Sequence, residues 1–247
     1  MRAIHNVFTQ VVLLGACLLV AAPSWADVGH IANVVGDVKV ERGADRLSAA
    51  KNMVLKSGDV VATGVAGRVN WQMADDSVFA VPEGSRFRID NFSEKSSKSG
   101  GKAIFTLIKG AFRTISGLIG KSSGDTYQVN TPVVTMGIRG TDYAALLKKG
   151  GTLKHPDGVY GRVYKGMIFM KNAAGSLDVP AGKTGFADEL GHAPILVDNV
   201  DELFNDISLG TNIGLSFPGF FNVQLRIQTP TVTPPVVPPV EVPASPS

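Results

Sequence analysis

The chain has little cysteine, little charge and no long apolar run. Its one cysteine, Cys17, lies near the N-terminus. That excludes a disulfide framework, and beyond Cys17 it excludes thiol nucleophiles and thiolate metal sites. The apolar run Val11 to Ala22 has 12 residues, short of the ~20 that a membrane-spanning helix needs. The four histidines are scattered, with no i, i+4 pair and no second cluster, so no metal site is expected. No Gly-x-Ser-x-Gly elbow occurs. Gly120-Lys121-Ser122 echoes a phosphate loop, but Ile115 stands where its first glycine belongs. Asp75 and Asp76 are adjacent and would point to opposite sides of a strand, which suits a turn rather than paired acid–base catalysis. The residues therefore nominate no catalytic group and no cofactor.

Turn-formers and short alternating segments are abundant. Glycine (28) and proline (14) exceed their usual share of the 247 residues. Val38-x-Val40, Val69-x-Trp71-x-Met73, Phe79-x-Val81 and Phe87-x-Ile89 alternate with polar residues between turn signals. This period of two predicts short half-buried strands and a mainly β fold. A short irregular β-solenoid-like stack and a sandwich-like stack both fit. A Gly110 break is expected between Ile104 and Leu118. Val197, Val200, Leu203, Phe204 and Ile207, with acids between them, predict one C-terminal amphipathic helix of about three turns.

The termini read differently. Arg2, the apolar run, Pro23 and Ser24-Trp25-Ala26 have the layout of a secretory signal peptide, cut before Asp27. A lipoprotein signal at Leu14-Gly15-Ala16-Cys17 and a retained anchor stay open as other fates. Gln228 to Ser247 is Pro-rich and carries one charge, which predicts an extended tail without a core. The division is 1–26 signal, 27–190 β domain, 191–227 helix with an apolar extension, and 228–247 tail. Charge is segregated as well. Arg86 to Lys121 holds eight Lys or Arg, and Asp188 to Asp206 holds six acids and no Lys or Arg. Either a polyanion-binding face or a set of solvated faces follows, or an acidic helix lying on a basic body.

The densest β-branched and aromatic stretch is Thr126 to Tyr143. Within it, Gly137-Ile138-Arg139-Gly140-Thr141 has two glycines three apart around one arginine, the mark of a bend that needs glycine. Ile138 can bury there while Arg139 turns the other way. The expectation is that Arg139 is tied to a carboxylate or to strand-end carbonyls. Asp59 and Asp142 are expected to accept backbone N–H bonds at bends.

This stretch resembles the signature of FecR-type periplasmic domains, in which Thr-Pro leads to Gly-Ile-Arg-Gly-Thr-Asp. Here it runs from Thr131 and Pro132 to Gly137, Ile138, Arg139, Gly140, Thr141 and Asp142. An upstream block matches too: Leu55, Gly58, Asp59 and Val60 through Thr63 and Gly64, then Asp75-Asp76-Ser77. The family more often has Asp-Gly-Ser at that last turn, and Asp76 also tolerates it. Val159 to Gly185 looks like the family's closing strands, so the resemblance covers Val28 to Ala187. It implies a β domain in the periplasm or exported further, with the signature residues serving structure.

Family members with a cytoplasmic N-terminal region work as anti-sigma regulators. Here ten residues precede the apolar run, which predicts no such region. The expected function is a non-enzymatic exported interaction module of the cell envelope, sensing or scaffolding through this domain. The alternative is a polyanion- or glycan-binding envelope protein that uses the basic face with Trp71 or exposed aromatics. Its partner would be an envelope protein or a glycan. No nucleic acid partner is expected, nor a stable membrane span after signal cleavage.

Overall fold

The computed structural model describes residues 27–93, 101–121 and 126–207. The signal segment with Cys17, residues 94–100 of the polar loop, the apolar stretch from Leu215 and the Pro-rich tail lie outside the described residues. No helix among the described residues is long and apolar enough to cross a membrane.

Fifteen strands join into one sheet. The first seven are short: β1 (Asp27–Val35), β2 (Val38–Arg42), β3 (Asp45–Ser48), β4 (Val54–Lys56), β5 (Val60–Thr63), β6 (Arg68–Met73) and β7 (Val78–Val81). β8 (Arg86–Ser93) leads to β9 (Lys102–Ile115), and β10 (Tyr127–Asn130) to β11 (Thr135–Lys148) and β12 (Gly158–Lys171). β13 (Ser176–Pro180), β14 (Thr184–Asp188) and β15 (Ile195–Val197) close the chain of strands. The main path runs β15-β14-β12-β11-β10-β9-β7-β6-β1-β4, and β8, β5, β2 and β3 branch from β9. Among these ladders only β9–β10 is parallel, so the sandwich-like description fits the folded sheet better than a parallel coil does.

The sheet closes on one core because its three longest strands change the phase of their burial. β9, β11 and β12 have 14 residues each. In β9 the inward side chains are Ala103, Phe105 and Leu107, then Phe112 and Thr114. In β11 they are Met136 and Ile138, then Tyr143, Ala145 and Leu147. In β12 they are Val159 and Val163, then Ile168 and Met170. Odd positions give way to even ones, or the reverse, across Gly110, Gly140 and Gly166. All three glycines have positive φ, at 77°, 59° and 81°. A left-handed residue inserts one extra position into the ladder and bends the strand. Without that step, half of each strand would turn its apolar face to water.

The two halves of each long strand therefore meet different neighbours. The first half of β9 lies between β8 and β10, and its second half between β7 and β11. The aromatic centre joins both halves. Trp71 stacks on Phe79 at 5.2 Å between ring centroids, and Phe112 meets Tyr143 edge-on at 5.5 Å. Offset and edge-on pairs suit the ring quadrupoles. Three buried hydroxyls, on Thr114, Tyr127 and Tyr143, sit in this core, and none completes a hydrogen bond of normal geometry there. Tyr127 still lies close enough to Thr114 and Tyr143 to be influenced by them. Burial pushes both phenols above their ordinary range.

The C-terminal helix is corrected. The backbone there forms β15 and a single 3-10 turn, Asp201–Phe204. Asn199 takes φ 59°, which a continuous helix does not admit. The apolar spacing was nonetheless meaningful. Val200, Phe204 and Ile207 bury against Ala111, Ala144, Tyr160 and Phe186 on the outer side of the sheet.

Two predictions follow from the core. Gly140→Val and Gly166→Ala should each cost about 2 kcal/mol or more in denaturant melts, because both force a side chain into positive φ. At Gly166 a Cβ would also come 2.4 Å from the Gly140 carbonyl oxygen. Unchanged midpoints would contradict the bend. The second concerns alkali. The unfolded tyrosines ionise near pH ~10. The folded ones hold their protons above that pH, so their contribution is complete below pH ~10 and is lost as pH rises beyond it. Urea midpoints should fall above pH ~10, and less so in a Tyr127→Phe/Tyr143→Phe double variant. Parallel pH profiles would show the assignment wrong.

Candidate functional site

The upstream block builds a turn around a buried carboxylate. Gly58 has φ 91° and donates its N–H to the Ile89 carbonyl at 2.6 Å. This delivers Asp59, fully buried, to three donors. Arg42 Nε and Nη2 donate to its two oxygens at 2.8 and 2.7 Å, and the Lys56 N–H donates at 2.9 Å. Arg42 also caps the Val54 carbonyl at 2.9 Å. The hydrogen bond to Asp59 holds the guanidinium above its ordinary pKa. Thr63 Oγ1 donates to the Pro82 carbonyl at 2.6 Å and accepts the Ser85 N–H at 2.9 Å. The fork geometry fits a guanidinium and would not fit lysine.

Asp75 and Asp76 form the turn between β6 and β7. Asp76 carries φ 67°. Asp75 is buried and accepts the Ser77 N–H at 3.0 Å and the Ile119 N–H at 3.2 Å. Gly117 packs so closely that a Cβ would sit 1.9 Å from the Asp75 carbonyl oxygen. This acid fastens the segment after β9 to the β6–β7 hairpin.

The downstream signature divides at Gly140. Thr131 Oγ1 donates to the Val134 carbonyl at 2.7 Å and accepts the Val134 N–H at 2.9 Å, closing the turn between β10 and β11. Pro132 is exposed within that turn, outside either strand. Gly137 lies under the Phe169 ring, where a Cβ would come 2.0 Å from Cζ. Ile138 is buried in the core and Arg139 is exposed, so the two side chains part as expected. After the bulge, the Thr141 N–H donates to Ser116 Oγ at 2.8 Å and Thr141 Oγ1 donates to the Met167 carbonyl at 2.9 Å.

Arg139 requires a correction. It faces Met167 across the ladder, with no carboxylate in that register, and its side chain makes no hydrogen bond or ion pair among the described residues. Arg113 fills the role expected of Arg139. Its Nε and Nη2 grip both oxygens of Asp142 at 3.0 Å each. Its Cζ also lies 3.9 Å from the centre of the Tyr164 ring, a cation–π contact. Arg42, Ser85, Arg113 and Ser116 were missed because they reach their partners across the sheet. Arg42 is 17 positions from Asp59, and Arg113 is 29 from Asp142. No local pattern carries such a pairing.

The segregated charges are also placed. Arg86 pairs with Glu41 at 2.6 Å, and Arg88 pairs with Asp90. The acids after Asp188 pair with bases from 149–183 instead of 86–121. Asp201 meets Arg162 at 2.7 Å, Asp198 meets Lys183 at 3.3 Å, and Glu189 meets Lys149. Glu202 is held down at about 2, chiefly by the hydrogen bond from Lys154 and further by its own backbone N–H and His155. Trp71, a candidate sugar platform by sequence, is fully buried. Among the described residues no group of three or more His, Cys, Asp or Glu is placed to hold a metal ion.

Residues 59–166 match the family model described as FecR protein, so the chain carries a FecR-type domain over that span. The matched span contains all three strand-bending glycines and the Thr131–Asp142 signature. No curated protein matches the chain. Among solved structures, two crystal structures of a candidate anti-sigma factor from Parabacteroides distasonis are similar at 9% and 8% identity, with TM-scores of 0.44 and 0.43. Each match covers 56% of this chain and 58% of that one.

The two arginines are expected to behave oppositely. Arg113→Ala strands a half-buried Asp142 and should cost about 3 kcal/mol in a denaturant melt. Arg139→Ala should change stability by no more than ~0.5 kcal/mol. Equal losses would contradict these placements.

Proposed function

We propose that this protein is an exported, non-enzymatic interaction module of the cell envelope, sensing or scaffolding through its FecR-type domain. The observation that carries this reading is the fate of the polar signature. Asp59, Asp75 and Asp142 are each bound by backbone N–H groups or a forked arginine. Thr63, Thr131 and Thr141 spend their hydroxyls on carbonyls of turns and bulges. Groups so engaged hold a scaffold in shape and leave its outer faces to meet a partner. The acids that are free to react are exposed and dispersed, which does not assemble the paired groups of general acid–base chemistry.

Export rests on the leader described above. β1 pairs from Asp27 onward, so a cut before Asp27 leaves the first strand whole. The periplasm is the compartment that this implies, and a fold held by its own core needs no disulfide there. The partner would be an envelope protein or a glycan, met without a cofactor.

Fractionation of expressing cells and N-terminal sequencing of the mature protein test export. The expected first residue is Asp27, in the periplasmic or secreted fraction. An intact Met1, or a lipid on Cys17, would contradict it.

A further inference from the structure

The outer face of the first half of the long strands is a distinct surface. β10 lies between β9 and β11, and β12 lies between β11 and β13, so these backbones already have neighbours on both sides. A partner strand cannot add to them, and only side chains can recognise a ligand here. The register sets those side chains in two rows. One row places Gln128 opposite Gly137, and Gly137 opposite Phe169. The next places Asn130 opposite Thr135, and Thr135 opposite Lys171. Arg139 stands two residues beyond Gly137 on the same face.

The centre of this face is aromatic. Phe169 belongs to neither buried apolar cluster. Its ring is half-buried and lies against the Gly137 backbone, a position open only because Gly137 lacks a Cβ. Around it on the β10 and β11 side are neutral hydrogen-bonding groups, and the exposed Asp178 lies opposite it on β13. Asn130 Oδ1 accepts the Thr135 hydroxyl at 3.1 Å, and no bond from its amide N–H2 is made to the described residues. The Gln128 side chain makes no hydrogen bond among the described residues. Arg139 and Lys171 flank the ring along the strand direction. Both are exposed and lack an ion-pair partner among the described residues.

We infer that this face binds a carboxylate-bearing glycan strand. A pyranose ring presents an apolar face of C–H groups that suits the negative face of an aromatic ring. Its hydroxyls match the amides of Gln128 and Asn130, which both donate and accept. Carboxylates on neighbouring sugars match Arg139, whose fork takes them bidentately, and Lys171. From strand spacing the footprint is about 15 Å across, the reach of a short oligosaccharide. A protein partner fits less well. A standard interface takes ~800 Å2 per side around an apolar centre, and here one ring, with the half-buried Ile104 and Met167 at its margins, sits among polar and charged groups. This inference rests on the reading of the chain as an interaction module, and it names the class of partner.

Affinity electrophoresis of the full exported chain tests it. Gels containing carboxymethyl cellulose, hydroxyethyl cellulose or no polymer share conditions and differ only in carboxylates and glucan. Retardation is expected in carboxymethyl cellulose and should be weaker in hydroxyethyl cellulose. Arg139→Glu and Phe169→Ala should each raise the apparent Kd about tenfold or more. Arg139→Glu is the arm safe from misfolding, and its melt should match the parent. Absence of retardation in either polymer would overturn the proposal. So would retention that neither variant weakens, since a chain of pI ≈ 9.0 attracts polyanions without any site. If Arg139→Glu instead abolishes crosslinking to a protein in intact cells while glycan retention is absent, the face docks protein. The glycan inference then fails and the interaction module stands.

Discussion

One constraint organises this protein: a strand that buries side chains on both sides of a bend must change phase at the bend. Side chains alternate along a strand, so a uniform ladder keeps one parity inward throughout. β9, β11 and β12 are long enough to pass from one half of the folded sheet to the other. Each does so with a positive-φ glycine at the crossing. The bends are mutually dependent. Gly166 leaves room only for the Gly140 carbonyl, and Gly110 leaves room only for Ser85. Ser85 Oγ accepts the Ala111 N–H just past that bend, at 3.0 Å. Ser116 and Thr141 then tie the exit of β9 to the bend in β11.

Buried carboxylates are the second layer of this design. Burying a charge is costly unless donors surround it. Asp59 and Asp142 each face a forked arginine, and Asp75 faces backbone N–H groups. Asp59 and Asp75 sit where turns leave N–H groups without ladder partners, so they satisfy the backbone as well as themselves, whereas Asp142 is held by its arginine alone. Apart from Arg139, the polar residues that make the signature recognisable, such as Asp59, Thr63, Thr131, Thr141 and Asp142, fasten turns, bulges and strands together. The side chains of the proposed recognition face, Phe169 and Arg139, have no such duty.

Much of the architecture was legible in the sequence, because period-two alternation and glycine punctuation are local. Val69, Trp71 and Met73 bury on one face as their spacing implies. The Gly110 and Gly140 bends were visible as interruptions, and Ile138 and Arg139 part as predicted. Gly166 was not visible as a bend, since Lys165-Gly166-Met167 has the look of an ordinary strand residue run. The C-terminal acids and apolars mimic an amphipathic helix, yet Asn199 at positive φ limits them to one 3-10 turn. The assignment of Arg139 to a carboxylate failed for a different reason. Which arginine meets Asp142 is set by the register of β9 against β11, and register is a property of the folded sheet.

Thiol accessibility along the long strands tests the phase change most directly. With Cys17 replaced by serine, the chain has no other cysteine, so single cysteines can be placed one at a time through β9, β11 and β12. Apart from positions covered on the outer side as well (111, 137, 144, 158, 160 and 161), reactivity toward a small maleimide in the folded protein should alternate, and the protected parity should reverse at Gly110, Gly140 and Gly166. In β11 this means protection at 136 and 138, then at 143, 145 and 147. An alternation that runs through those glycines with its parity unchanged would contradict the account.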